Sequence, residues 1–441
     1  MTLLNKDLDK ELEFKKIQAE EELAEDETLQ PLSDSFVPDG VLRDYIDLVS
    51  PLSEAPLQFH IASGLMLLAA VCKRNIYLPF GAGNIFPNLY VLILGESGIA
   101  RKSEALKPAL KLLYELDPTA YLGSLTSLEA FYEAFKESSN KVGFYGEFKA
   151  LIDNFNRKYG RGLQTEMTNL WDNPNFMKVN LKNVPVEDRL ISEPCFSILG
   201  ATTIEWLQLK EMDITGGFFG RFLPILASKG RDRLMSIPPT MDMDKYQKVL
   251  DGLRTVSNIQ GEIRLTEGAV KLQDEIYRDL WKKYEELPDQ NLMNSHWSRI
   301  HTHILKLAML FTVSRRELVD SIENLSSNGI DLSVDEDAIL RASSVMEKIT
   351  GYYKNLLANI SFSEEIRMEN RILNKLKEKR EKGATKSELM RFLRVRKGFF
   401  NEIVETLDEK HLIVSKNGEK TSAGRPKTTY FLSKYTRRAG L

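Results

Sequence analysis

Gly95, Glu96, Ser97, Gly98, Ile99, Ala100, Arg101, Lys102 and Ser103 form the stretch with the clearest chemical meaning. They follow the spacing G-x-x-x-x-G-K-[ST], except that Arg101 stands at the second glycine. The stretch sits directly after the apolar run NLYVLILG and directly before a helical pattern. A loop in that position turns backbone N–H groups toward phosphate oxygens. Lys102 would add a point charge near the β- and γ-phosphates, and the Ser103 hydroxyl would ligate Mg²⁺. The expected ligands are therefore ATP and Mg²⁺. Arg101 puts a bulky side chain in a tight, phosphate-facing turn. The plainer alternative is a chance strand–turn–helix with a Lys-Ser pair.

Such a site needs a second strand ending in acidic residues, which hold the metal's water shell and polarise the attacking water. VGFYGE ends at Glu147, the candidate base, with Gly146 where an aspartate is expected. The simpler alternative is a solvent-facing carboxylate at a strand end. A third run, PCFSILGATT, ends in Thr202 and Thr203. Thr202 would hydrogen-bond the γ-phosphate or the nucleophilic water; otherwise it only caps a helix starting at IEWL.

Two basic regions point to nucleic acid. The first lies between Glu147 and PCFSILGATT: Arg157, Lys158 and Arg161, then FMKVNLKNVPVEDRLI, which alternates as a β-hairpin around NVPVED. Lys178, Lys182 and Arg189 there would hold DNA phosphates without reading sequence, unless the hairpin is only a solvated surface. The second is the tail. Residues 366–441 hold 20 Lys/Arg against 9 Asp/Glu, a net +11, which leaves 40 against 54, or −14, on residues 1–365. Thr385-Lys-Ser-Glu begins a helix in the manner of a capping box. A turn at 394–396, the amphipathic stretch KGFFNEIVETLDEKHL, and strands HLIVSK and TTYFLS around NGEKTSAGRPK complete a winged-helix plan. Lys386, Arg394, Arg396, Lys397, Arg425 and Lys427 are its candidate DNA contacts. A winged helix used for protein contacts is the alternative.

These residues must be positioned by an α/β scaffold. Strands and helices alternate from 90 to 230: YVLILG, a helix over 102–115, a helix over 127–137, VGFYGE, CFSILGATT and FLPILAS. That is the pattern of a parallel sheet with crossover helices. Two helices precede it over 41–74, and 243–358 is almost all helical by periodicity. The divisions expected are an acidic helical or disordered tail (1–30), a helical N-terminal collar (31–85), a P-loop core with hairpin insertion (86–235), a helical lid (236–360) and a winged-helix domain (366–441).

The whole chain has 441 residues, 42% hydrophobic and 28% charged, with 60 basic and 63 acidic residues. A net charge of −3 argues against a simple basic nucleic-acid coat protein. Cys72 and Cys195 lack disulfide-framework or zinc spacing, so a reducing, cytoplasmic setting is expected. The most apolar run, Ile61 to Cys72, is too short to span a bilayer and is expected to be a buried helix. The first 30 residues lack the apolar core of a secretory signal.

GGFFGRFLPIL, with Arg221-Phe222 soon after the third strand, resembles the trans-acting arginine finger of AAA+ ATPases, notably of the MCM group. RIHTHILKLA, with Arg299 and Lys306 seven apart, resembles that group's lid helix. The resemblance implies a sensor role at the γ-phosphate for Arg299. FPNLYVLILGESG through RFLPIL to DLSVDEDAILRA is also similar to an uncharacterised P-loop family of phages, plasmids and integrated mobile elements. That likeness covers roughly residues 40–355. Its members are commonly fused to or encoded beside primases and are thought to be replicative helicases. They also tolerate an arginine before the P-loop lysine, whereas Gly146 departs from their pattern.

The resemblance implies an ATP-driven DNA helicase or translocase, working as a homo-oligomeric ring, a hexamer, on single-stranded or forked DNA. A primase would be a further partner, and no membrane would be involved. In such rings, hairpin insertions point into the pore. One subunit would supply Lys102, Ser103, Glu147 and Thr202, and its neighbour Arg221. Two alternatives stay open: a replication initiator or ATPase switch without processive unwinding, and a non-hydrolysing scaffold that only binds nucleotide.

Overall fold

The computed structural model describes residues 31–123, 127–155, 157, 160, 162–179, 189–204, 207, 217–227, 234–285, 290–323, 332–359, 364–379, 382–393, 395–410, 412–417 and 428–433. The acidic tail over 1–30, expected to be helical or disordered, lies outside them.

The two expected N-terminal helices are present as α1 (Val41–Val49) and α2 (Leu57–Cys72). Every residue of α2 from Gln58 to Cys72 is buried. A helix apolar on all sides must be enclosed by other elements, and α2 packs against strands of the central sheet and the helix over Lys102–Leu116. Strands β1 (Ile76–Phe80) and β2 (Gly83–Ile85) then form an antiparallel pair.

The central sheet is built from β3 (Tyr90–Leu94), β4 (Tyr121–Leu122), β5 (Asn140–Tyr145), β8 (Cys195–Thr202) and β9 (Phe222–Leu226). Its order is β4-β5-β8-β3-β9, and all its pairings are parallel. β3, β8 and β9 are buried throughout, as expected of parallel strands covered on both faces. Between the strands run α3 (Lys102–Leu116), α4 (Leu128–Glu137), α5 (Phe148–Phe155) and α6 (Leu163–Trp171). β4, only two residues long, has no readable pattern of its own. The antiparallel strands β6 (Phe176–Lys178) and β7 (Leu190–Ser192) form the stem of the expected hairpin.

The chain leaves β3 for the far edge at β4, then works back through β5 and β8 and passes β3 to reach β9. Its direction of travel thus reverses at β4, so the connections that leave β3 and β8 run opposite ways across the sheet. Because crossovers are right-handed, α3 takes one face of the sheet and the returning helices take the other. The crevice at the carboxyl end of β3 is where open parallel sheets bind ligands.

The helical region that follows contains α7 (Met243–Ser257), α8 (Glu267–Glu285), α9 (Gln290–Trp297), α10 (Ile300–Val313), α11 (Arg316–Glu323) and α12 (Glu336–Asn359). Three two-residue strands interrupt it: β10 (Gly261–Glu262), β11 (Arg264–Leu265) and β12 (Ser333–Val334). β10 pairs with β1 and β11 with β12. Asp44 of α1 accepts from Arg316 (2.8 Å) and Lys248 (3.0 Å). One continuous apolar core runs from Leu32 through the sheet to Leu357.

A second core belongs to the C-terminal residues alone, built around Ile372, Leu376, Leu389, Phe400, Ile403 and Leu407. Its elements are α13 (Glu364–Lys379), β13 (Ala384–Thr385), α14 (Lys386–Leu393), α15 (Lys397–Glu409), β14 (Ile413–Asn417) and β15 (Thr428–Leu432). The three strands form an antiparallel sheet in the order β13-β15-β14. The capping box forms: the Thr385 N–H donates to Glu388 Oε2 (2.7 Å) and the Glu388 N–H to Thr385 Oγ1 (3.3 Å). Those bonds pull the Glu388 carboxyl below its ordinary pKa.

Candidate functional site

The loop after β3 runs from the end of that strand into α3. The Gly95 N–H donates to Thr202 O (3.4 Å), so the loop starts level with the end of β8. Gly98 has φ +71° and Arg101 φ +47°, left-handed positions that turn neighbouring N–H groups to one side, as anion-binding nests require. A non-glycine residue in that region costs roughly 1–2 kcal/mol. The Arg101 side chain offsets this through Glu54, at 3.0 Å from its Nε, and through Glu104 (3.4 Å). Glu54 is itself buried and accepts the Met235 N–H at 2.8 Å. The arginine thus leaves the loop toward Glu54 and ties three chain segments together. Lys102 opens α3 and lies across the loop, its Nζ donating to the carbonyls of Gly95 (2.7 Å) and Glu96 (3.2 Å). Ser103 is exposed beside it.

Thr202 ends β8 opposite Leu94 of β3. It is 2% exposed, and its Oγ1 has no hydrogen-bond partner among the described residues. A buried hydroxyl without a partner costs about 1–3 kcal/mol, and this one lies at the edge of the loop after β3. Glu147 is exposed in the turn after β5. β8 alone separates β5 from β3, so two strand spacings, about 9–10 Å, lie between them. That leaves room for a phosphoryl group and a water. These residues fit ATP and Mg²⁺, since Mg²⁺ takes most of its ligands from phosphates and water.

Arg221 stands elsewhere. It immediately precedes β9, whose first residue pairs with Tyr90 at the start of β3. The five residues of β9 separate it from the carboxyl end of the sheet, about 16 Å, well beyond the reach of one side chain. Its Nη1 donates to Gly217 O and its Nη2 to Asp172 Oδ2, both at 2.8 Å. Gly220 brings the segment close to α9: a Cβ there would lie 2.5 Å from the carbonyl oxygen of Ser295.

Arg299 lies beside Arg221, away from the loop after β3. It caps α10, and its Nη1 donates to Ser295 O (2.6 Å). Burial and the nearby Arg221 charge lower its pKa. Lys306, seven residues on, is fully buried. Its Nζ donates to Asn88 Oδ1 (2.6 Å), Asn88 O (3.2 Å) and Trp171 O (3.2 Å), and lies 4.0 Å from the Trp171 ring centroid. Burial pulls its pKa down to about 7.

Sequence reasoning missed several residues that hold the two ends of the sheet together, because nothing in their spacing marks them. Besides Asp172, Glu54 and Asn88, Arg74 donates from Nη1 to the carbonyls of Asn173 (3.0 Å), Pro174 (2.9 Å) and Pro194 (3.4 Å). It thereby clamps the base of the hairpin. Met177 and Ile191 face inward, while Phe176, Lys178 and Leu190 are exposed. Arg189 is half-buried next to β7, Arg157 is exposed, and Lys158, Arg161 and Lys182 lie outside the described residues.

In the C-terminal unit Arg396 and Lys397 are exposed at the start of α15. Lys386 donates to Asn401 Oδ1 (2.6 Å), whereas Arg394, Arg425 and Lys427 lie outside the described residues. Among the described residues no helix is long and apolar enough to cross a membrane. No protein-family model matches the chain, and no curated protein sequence matches it.

Two buried imidazoles near Arg299 make stability sensitive to acid. His296 stacks on Tyr353 with centroids 4.2 Å apart; burial, then the Lys354 and Arg299 charges, push its pKa down to about 3. His303 lies edge-on to Trp171 at 5.2 Å, and burial with the Lys306 charge holds it well below the ordinary value. The unfolded chain protonates both near pH 6.5. It therefore binds more protons than the folded chain as pH falls, and stability drops below that pH. For two protons the loss approaches about 2.7 kcal/mol per pH unit. Urea unfolding between pH 7 and 5 checks this, and His296→Gln should flatten the profile.

Proposed function

We propose that the chain is an ATP-dependent DNA translocase or helicase that assembles into a ring, a hexamer, and serves replication of a phage or mobile element. The observation that carries this reading is the phosphate-type loop at the carboxyl end of β3, with the orphaned Thr202 hydroxyl beside it. ATP there would rest on the N–H groups of residues 97–103. Lys102 would exchange two neutral carbonyls for charged phosphate oxygens, a stronger pairing. Ser103 would hold Mg²⁺, which neutralises charge across the phosphates. Glu147 would orient the attacking water and Thr202 would help to hold it. Arg221 and Arg299 lie too far from this loop to serve it, so they would act on nucleotide held by another copy. A copy seated there would also cover Tyr277 and Trp281, which are 45% and 51% exposed and line a groove with Trp297 and Ser298.

DNA contact would come from the outward face of the hairpin, where Phe176 offers a stacking surface beside Lys178. The C-terminal unit has the element order of a winged helix. Beyond its first turn, however, α15 exposes Glu402, Glu405, Asp408 and Glu409. Phosphate contact there would be confined to the end bearing Arg396 and Lys397, and to the loop between β14 and β15. Deleting residues 366–441 is expected to weaken DNA binding and flatten its salt dependence, by roughly 0.7–0.9 in log–log slope for each phosphate that the shortened chain no longer neutralises. Binding isotherms from 50 to 200 mM salt would show it.

Gly146, where a second acid is expected, favours the alternative of a nucleotide-dependent switch that melts or marks DNA without processive unwinding. The deciding experiment measures ATP hydrolysis with and without single-stranded DNA, together with strand displacement on a forked duplex. A helicase does both. A switch hydrolyses ATP without displacing a strand, and a scaffold binds nucleotide without turnover.

A further inference from the structure

Among the described residues, the Arg221 environment contains three cationic side chains and one close carboxylate. Arg221 is 8% exposed, its Nε is buried without a partner among the described residues, and its guanidinium lies 5.5 Å from the Trp171 centroid. A Cβ at Gly217 would meet Arg221 Nη1 at 3.2 Å and Arg299 Nη2 at 3.4 Å, so both guanidinium groups border the same small hollow. Lys306 sits on the Trp171 ring and, among the described residues, has only neutral oxygen acceptors within hydrogen-bond reach.

Against these charges stands Asp172, with its side chain 57% exposed and Oδ2 2.8 Å from Arg221 Nη2. Asp172 is also the C-cap of α6, an end where the helix dipole disfavours a negative charge by roughly 0.3–1 kcal/mol. Helix formation therefore does not explain an acid here, whereas the neighbouring guanidinium does.

We propose that Asp172 is a latch that occupies Arg221 in the unassembled chain, standing in for the terminal phosphate of a nucleotide held by another copy. A carboxylate and a phosphoryl group offer the same fork of acceptor oxygens to a guanidinium. The phosphoryl group carries more charge and would also engage Arg299. Asp172 is solvent-exposed and can swing away without burying its own charge. The arginine is thus withheld until a neighbour presents nucleotide, and idle hydrolysis by loose encounters is suppressed. This inference rests on the reading of Arg221 as a group acting between copies.

The test follows ATP turnover per chain against protein concentration for the full-length wild type, Asp172→Asn, Asp172→Glu and Arg221→Ala. Asn keeps the shape and one acceptor oxygen but removes the charge. The expected result is a half-maximal concentration roughly two- to fivefold lower for Asp172→Asn, the scale of one half-exposed ion pair. Saturated turnover should equal that of wild type, and Asp172→Glu should restore the wild-type curve. Sedimentation with a non-hydrolysable ATP analogue should show the same shift in assembly, a readout that does not need turnover. An unchanged curve overturns the latch. Lower saturated turnover also overturns it, because Asp172 would then orient Arg221 for catalysis. If instead Arg221→Ala leaves turnover intact, the reading beneath the latch is what fails, and the latch falls with it.

Discussion

Arg221→Ala should lower ATP turnover by about 10³-fold or more, the scale of an arginine that stabilises charge developing on a transferred phosphoryl group. ATP binding should persist, because Arg221 stands about 16 Å from the chain's own phosphate loop, by the rise of β9. The same distance predicts complementation. Neither Arg221→Ala nor Lys102→Ala should turn over ATP alone, but a mixture should recover part of the activity. In mixed assemblies a Lys102→Ala subunit still offers Arg221 to the intact loop of its neighbour. An Arg221→Ala chain that keeps wild-type turnover would show that the pair with Asp172 is structural only. Melting curves must accompany the assay, since the change leaves Asp172 without its 2.8 Å partner.

Lys102→Ala should reduce turnover at least about a hundredfold, the usual cost of removing a preorganised charge from the transition state. In the folded chain Lys102 Nζ is held by the carbonyls of Gly95 and Glu96. The substitution therefore removes two hydrogen bonds to the loop and no core packing, so the melting temperature should shift little. DNA binding through residues 366–441 should be unchanged, because that unit folds around its own core. Unchanged turnover would refute the phosphate assignment outright.

Much of the fold was legible because the strands that matter are buried on both faces. YVLILG, CFSILGATT and FLPILAS are continuous apolar runs, and each is a strand of the central sheet. The all-apolar stretch through Cys72 is likewise the buried helix it suggested. The two-residue strands β4, β10, β11 and β12 were not legible, since two residues cannot display a period. Their pairing depends on neighbours brought in by the rest of the fold. Arg299 and Lys306 show the other limit. A spacing of seven places two residues on one helical face, yet Arg299 caps α10 from outside it and Lys306 is enclosed.

By itself the sequence determined the local chemistry: a strand, a glycine-bearing turn, and a helix opening on Lys102 and Ser103. These features arise from neighbouring residues, and local backbone preference and apolar patterning suffice to write them. Only the tertiary structure decided the division between two ends of the sheet. The parallel register sets Thr202 and Glu147 at the same end of the sheet as the loop after β3 and places Arg221, with Arg299 and Asp172, at the opposite end. Partners such as Glu54 with Arg101 and Asp172 with Arg221 are 47 and 49 residues apart along the chain. No local preference selects such pairs; the register of packed strands does.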